Sequence, residues 1–290
     1  VSGCRGSSPP KDHKVCINLA GGFRNGMEII LTGMDIEEKA KVFTEVLFNS
    51  VGGQEQFDEV FIELQRTDKE NPTTNEQAMA SLVISVKSSN QELVGRLFSA
   101  KIIELALANI PGFFAESGPK SSGPVIIYWP ALIDSKYITE KVHIDGKEIE
   151  VVPTSQLDYE EIYYQREPIS IDDIEISDQK EIYFGDLFGT RSGDKGGCAN
   201  LGVWAKNNLS YSFLYNFLTI EKLKELLPDL SEYKIERFEL PNINSLNFYI
   251  HDILEDGVSS NNRKDGQAKS LGEYLRVKKI LVPDSILLET

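Results

Sequence analysis

The sequence predicts an α+β protein made of two split β-α-β antiparallel sandwiches in tandem, each with helices on one face of its sheet. Three observations carry this expectation. Short β-branched runs alternate with segments of helical period in the order β-β-α-β-β-α-β over residues 1–157, and the same order returns over residues 182–290. Between them, residues 158–181 hold nine acids and two bases, so −7 of the chain's −15 lies in one short stretch that reads as a surface connection. A length of 290 residues, 41% of them hydrophobic, suffices for two modest cores.

In the first half, residues 15–20 and 27–31 read as strands. The turn-rich run Gly21-Gly22-Phe23-Arg24-Asn25-Gly26 between them predicts a hairpin loop. Asp35, with Glu38 three positions on, has the spacing of a capping box. The apolar residues Ile36, Ala40, Phe43 and Leu47 then mark one helical face, which Gly52-Gly53 ends. Residues 60–64 and 80–86 alternate as strands around a polar loop containing Pro72. Residues 91–110 carry an apolar stripe wide enough for a well-buried helix, closed by Pro111-Gly112. A strand over 125–129 and a hairpin over 141–152, turning at Asp145-Gly146, complete this half.

In the second half, strands over 182–188 and 201–205 flank a glycine-rich loop. A helical pattern over 211–227 stops at Pro228. Strands over 234–240 and 246–250 follow, joined through Pro241-Asn242-Ile243-Asn244. A helix over 267–275 and a strand over 277–282 close the order.

Composition excludes several classes. The acidic balance leaves no Lys/Arg stripe for nucleic acid or an anionic membrane. The longest apolar run, residues 125–133 with Pro130 inside it, falls far short of the ~20 residues that span a bilayer. Cys4, Cys16 and Cys198 have no C-x-x-C spacing, and His13, His143 and His251 lie far apart, so neither a disulfide scaffold nor a metal site is expected. The first residues lack a secretory apolar region, which predicts a cytoplasmic protein; the absence of an initiating Met reads as processing or as a fragment. Pairing with a second copy through exposed sheet edges stays open.

The run from Gly185 to Asn200, Gly-Asp-Leu-Phe-Gly-Thr-Arg-Ser-Gly-Asp-Lys-Gly-Gly-Cys-Ala-Asn, has the richest chemistry. It is neither a Walker loop nor a dinucleotide fingerprint. Five glycines allow backbone N–H groups to converge on an anion, with Arg191 and Lys195 adding charge and Asp194 as an acid/base. The alternative is a tight turn with an internal Asp194–Lys195 or Asp186–Arg191 pair. Gly193, Gly196 and Asn200 would bind substrate beside that trio. Arg24 and Asn25, at the expected hairpin tip, could meet a carboxylate or phosphate. His251 joins the substrate-binding candidates and reads as a hydrogen-bonded histidine rather than a general base, since Asp252 beside it points to the opposite face of a strand and cannot orient it. Cys198 reads as a small buried thiol, and Tyr128 and Trp129 as core or interface residues.

Gly185-Asp186-Leu187, Arg191-Ser192-Gly193-Asp194-Lys195-Gly196 and Ala199-Asn200-Leu201-Gly202 together resemble the opening signature of the C-terminal domain of the acyclic terpene utilisation (AtuA-like) family. Pro241-Asn242, Leu246-Asn247-Phe248 with His251, and Gly257-Val258-Ser259 with the helix over 267–272 resemble its later motifs. Ile17-Asn18, Gly21 to Asn25, Leu31-Thr32-Gly33, Pro111 to Phe114 and Tyr128 to Leu132 resemble the later part of the family's main domain. The resemblance implies a ferredoxin-like C-terminal domain over 182–290 and the end of the main domain over 1–157, the family's upstream α/β portion lying outside this sequence. It implies a role in citronellol- and geraniol-type catabolism, acting on or with branched acyl-CoA thioesters as a lyase or hydrolase. The alternative is a non-catalytic assembly partner of acyl-CoA carboxylase subunits. Neither the residues nor the resemblance names a cofactor.

Overall fold

A computed structural model describes residues 10–107, 110–151 and 178–288. Residues 152–177, with most of the expected acidic connection, lie outside the described residues. The chain divides into two compact units, Leu19–Ile127 and a second formed by Val1–Asn18 with Tyr128–Thr290.

The first unit holds β1 (Asp12–Thr32) from Leu19 onward, α1 (Ile36–Ser50), β2 (Glu59–Gln65), β3 (Met79–Ser88), α2 (Arg96–Leu105), β4 (Phe113–Ala115) and the start of β5 (Gly123–Asp134). Its antiparallel sheet has the order β2-β3-β1-β4, with β5 also on β1. Alternation puts Met27, Ile29 and Leu31 of β1 beside Leu82, Ile84 and Val86 of β3 on the buried face, under Phe43 and Leu47 of α1 and Phe98 and Ile102 of α2.

The expected hairpin at residues 21–26 is not formed; β1 runs unbroken through it. Its glycines serve close approach instead of a turn. A Cβ on Gly26 would stand 2.7 Å from the Ile84 carbonyl oxygen, and Gly22, at φ +90°, packs against the Ser88 carbonyl. The helix after Asp35 forms, but the capping box does not. Asp35 sits in the left-handed region at φ 57°, and its side chain makes no cap hydrogen bond. The helix expected over 91–110 is confined to Arg96–Leu105, and with Leu97 71% exposed it is amphipathic rather than buried all round.

The second unit contains β6 (Glu140–Ile144), β7 (Lys147–Val151), β8 (Gln179–Tyr183), α3 (Phe184–Leu187), β9 (Gly189–Lys195) and β10 (Cys198–Trp204). They are followed by α4 (Asn208–Phe217), α5 (Ile220–Leu226), β11 (Ile235–Leu240), β12 (Ser245–Ile250), α6 (Leu271–Arg276), β13 (Lys279–Pro283) and α7 (Asp284–Leu287). The hairpin β6–β7 turns where expected, with positive φ at Asp145 and Gly146. The expected single helix over 211–227 is two helices, because Thr219 caps a new one by accepting from the Lys222 N–H at 3.1 Å. The expected strand over 182–188 ends at Tyr183, where a short helix begins.

The main sheet of this unit has the antiparallel order β11-β12-β10-β9. Ala199, Leu201 and Val203 of β10 and Leu246, Phe248 and Ile250 of β12 enter a core closed by Leu214, Leu223 and Leu275. No helix among the described residues is long and apolar enough to cross a membrane.

Candidate active site

The glycine-rich run is not a loop. Residues 189–204 form a β-hairpin with Gly196 and Gly197 as its two-residue turn, and Cys198 pairs with Lys195, Asn200 with Gly193. An anion cradle of converging N–H groups requires irregular backbone, and a strand ladder spends those groups on its neighbour. Apart from Gly193, whose Cβ position is open, the glycines are explained by contact. Gly196 lies at φ +68° under the Tyr128 ring, Gly197 against the Glu255 carbonyl, and Gly189 beneath the Trp204 indole.

The two-residue period of a strand sorts the candidate residues. Asp194 pairs with buried Ala199 and so shares the helix-covered face with Ser192, whose Oγ accepts from the Gly272 N–H at 3.0 Å. Arg191, Gly193 and Lys195 occupy the opposite face with Cys198, Asn200 and Gly202. The neighbouring side chains there are Asn247 and Tyr249 of β12 and Glu236 and Phe238 of β11. Asp194 and Lys195 therefore do not meet through their side chains; Lys195 Nζ donates to the Asp194 carbonyl at 2.9 Å. Asp186 accepts from the Tyr183 N–H at 3.0 Å instead of pairing with Arg191.

Among the described residues this face, opposite the helix-covered one, carries several polar side chains. His251 Nε2 lies 2.7 Å from Glu236 Oε1, and its ring meets Tyr249 edge-on at 4.9 Å between centroids. The Tyr249 phenol is pushed up to about 12, first by the Cys198 sulfur on the same face and then by burial. Asn200 Nδ2 donates to Asn247 Oδ1 at 3.1 Å. Hydrogen bonds from Lys234 and then His251 hold the Glu236 carboxyl below its ordinary value.

The β9–β10 register puts Cys198 on this face opposite Lys195, and the β10–β12 ladder ends with Ala199 opposite Ile250. The His251 N–H donates to the Lys234 carbonyl at 3.0 Å, which extends the pairing of β12 with β11 by one step. When Nε2–H donates to Glu236, Nδ1 is left as the basic nitrogen. A histidine oriented by a carboxylate beside a phenol can move protons.

His251 and Asn200, expected from the sequence to bind substrate, both lie on this face, whereas Glu236 and Tyr249 were not expected there and the orienting acid is Glu236 rather than Asp252. The signal lay in the β11–β12 hairpin, whose register sets Glu236 against Tyr249. Trp129, expected in a core or interface, is 57% exposed, whereas Tyr128 is half-buried over Gly196. Among the described residues no group of three or more His, Cys, Asp or Glu could hold a metal ion.

Arg24 and Asn25 belong to the first unit. Arg24 is half-buried opposite Lys87. Asn25 is buried, with Nδ2 donating to the carbonyls of Gly95 at 3.2 Å and Lys120 at 3.0 Å. Asn25→Ala would remove both bonds from a buried site, leaving the Lys120 carbonyl only the Ser99 hydroxyl at 2.7 Å, so a loss of about 2 kcal/mol is expected in urea unfolding followed by circular dichroism. A variant as stable as the parent would remove Asn25 from the frame.

Two family models match the chain. Residues 1–144 match that of the acyclic terpene utilisation family protein AtuA, and residues 183–281 match the AtuA ferredoxin-like domain. No curated protein and no solved structure gives a match.

Proposed function

The chain belongs to the AtuA family, implicated in acyclic terpene utilisation, and from that premise we propose that it acts on branched acyl-CoA thioesters as a hydrolase. The observation that supports this most is the His251–Glu236 pair at 2.7 Å on the helix-free face of the second unit's sheet. An oriented imidazole is the general base that water or thiol addition to a thioester carbonyl requires. Lys195 and Arg191, on the β9 edge of that face, would meet the phosphates of CoA, the locally cationic feature that an anionic substrate needs on an acidic chain. Gly193 has nothing within 4 Å of where a Cβ would stand, which leaves room above the strand.

A tandem ferredoxin-like architecture belongs to the same proposal. It is supported by the order β2-β3-β1-β4, with α1 and α2 on the crossovers, and by β12 lying between β10 and β11.

One feature favours the assembly reading. Val142, Ile144, Ile149 and Val151 line one face of the β6–β7 hairpin and are each at least 37% exposed. A two-stranded ribbon is marginal alone in water, so a partner such as an acyl-CoA carboxylase subunit would stabilise it.

The test is release of free CoA from 3-methylbut-2-enoyl-CoA by the purified full chain, read with a thiol reagent. Release above the uncatalysed rate is the expected result. No release, with co-purification of carboxylase subunits, would replace the hydrolase with the assembly reading.

A further inference from the structure

We propose that the chain pairs with a second copy of itself through β11, joining two sheets edge to edge about a twofold axis at Phe238. Among the described residues β11 pairs with β12 alone, so it forms one edge of the sheet. Such an edge presents main-chain donors and acceptors that another strand can take up. It also carries exposed apolar side chains. Phe238 is 49% and Leu240 42% exposed, on the face opposite the helices, and Trp204 shares a row with Leu240 through Ser245. Burial falls along the strand toward this end: Ile235 is buried, Glu236 and Arg237 are half-buried, and Phe238 to Leu240 are exposed.

The residues of the strand select a second copy as its occupant. A one-residue slip turns every side chain to the other face, so antiparallel self-pairing with both helix layers on one side must centre on a residue. Two such registers engage most of this six-residue strand, one centred on Arg237 and one on Phe238. Centring on Arg237 opposes two guanidinium groups, which is unfavourable. Centring on Phe238 sets the two rings against each other, Arg237 against the partner's Glu239 and Glu236 against the partner's Leu240. Opposite charges then face each other on both sides of the axis, and no like charges stand opposed. Within one chain Arg237 Nη1 and Glu239 Oε1 are 3.7 Å apart, too long for a hydrogen bond, so both can meet a partner across the axis. Arg237 is held at the edge by Nη2, which donates to the Tyr215 carbonyl at 2.7 Å. Opposed Cα atoms lie about 4.5–5.5 Å apart, which brings the partner subunit's Leu240 beside Glu236 and its pair with His251. The second copy thus walls the candidate site.

The experiment has two arms on the full chain. In the first, sedimentation equilibrium should show the parent as a dimer. Phe238→Lys, which puts two ammonium groups on the axis, should weaken it at least about 30-fold, as loss of an aromatic anchor at an interface centre does. Glu239→Lys, which sets a second cation against Arg237, should weaken it as well. Ile62→Lys, on the edge strand β2 of the first unit, should leave it unchanged. In the second arm, single cysteines are oxidised with copper phenanthroline. Phe238→Cys should cross-link two chains, because opposed Cα atoms fall within the range of about 4.4–6.8 Å that a disulfide spans. Leu240→Cys, whose two copies would lie about 13 Å apart along the strands, should cross-link no more than the parent. This arm decides the matter if Phe238→Lys loses its circular dichroism and so its fold. A monomeric parent would overturn the pairing, and so would a dimer that either β11 substitution leaves intact. Dissociation by Ile62→Lys alone would move the contact to β2, and cross-linking at Leu240→Cys in place of Phe238→Cys would refute the register.

Discussion

Alanine at position 197 is expected to destabilise the second unit by about 3 kcal/mol, the upper end of the overpacking range. The added Cβ would stand 2.0 Å from the Glu255 carbonyl oxygen, a backbone atom that cannot swing aside. That loop is pinned on several sides. Leu254 N–H donates to the Gly197 carbonyl at 2.8 Å, Gly257 N–H to Leu254 at 2.8 Å, and Tyr128 N–H to Asp256 at 3.2 Å. Glu255 also already sits at φ 51°, so it has little conformational freedom left. A melting shift of roughly 6–12 °C follows for a unit of this size. Gly193→Ala, with open space at its Cβ position, should stay within about 0.5 kcal/mol. Similar melting of the two variants would show that the turn yields, and that its glycines are not there for contact.

His251→Gln should lower the rate of CoA release by about 10³-fold, within the range of general-base contributions, with little change in melting temperature. Glu236→Gln should reproduce part of that loss, because the imidazole keeps its place but loses a charged acceptor. The pH behaviour follows from the carboxyl. Its folded-state pKa is depressed, first by Lys234 and then by His251. The orienting charge, and any stability from the pairing, is therefore present above the ordinary carboxylate range and lost as pH falls through the depressed value. Parent and Glu236→Gln rates should differ throughout the neutral range and converge in acid. If His251→Gln keeps full activity, the base is elsewhere, and Asp194 on the other face of β9 returns as the candidate. If it loses activity only by unfolding, the pair is a structural clamp.

Much of the architecture could be read directly from the order of residues. Alternating runs such as Ala80–Val86 and Leu246–Ile250 became strands because their two-residue period puts one apolar row into a core. Ile36, Ala40, Phe43 and Leu47 became a helix face for the same reason at a period of 3.6. Asp145-Gly146 announced its own turn, since its backbone preference is local. The motifs likewise carried the family without any coordinates.

What the order of residues left open was every property that depends on a neighbour from another strand. Glycine has at least two uses, reversal of the chain and contact without a side chain, and only the partner distinguishes them. Gly21-Gly22 lies within a strand, whereas Gly196-Gly197 both turns and packs. The same applies to the site. Glu236 and His251 are 15 residues apart along the chain, and no local signal joins them; the pairing of β12 with β11 sets them together. Adjacent Asp194 and Lys195, joined in sequence, are separated by the pleat that sends consecutive side chains to opposite faces.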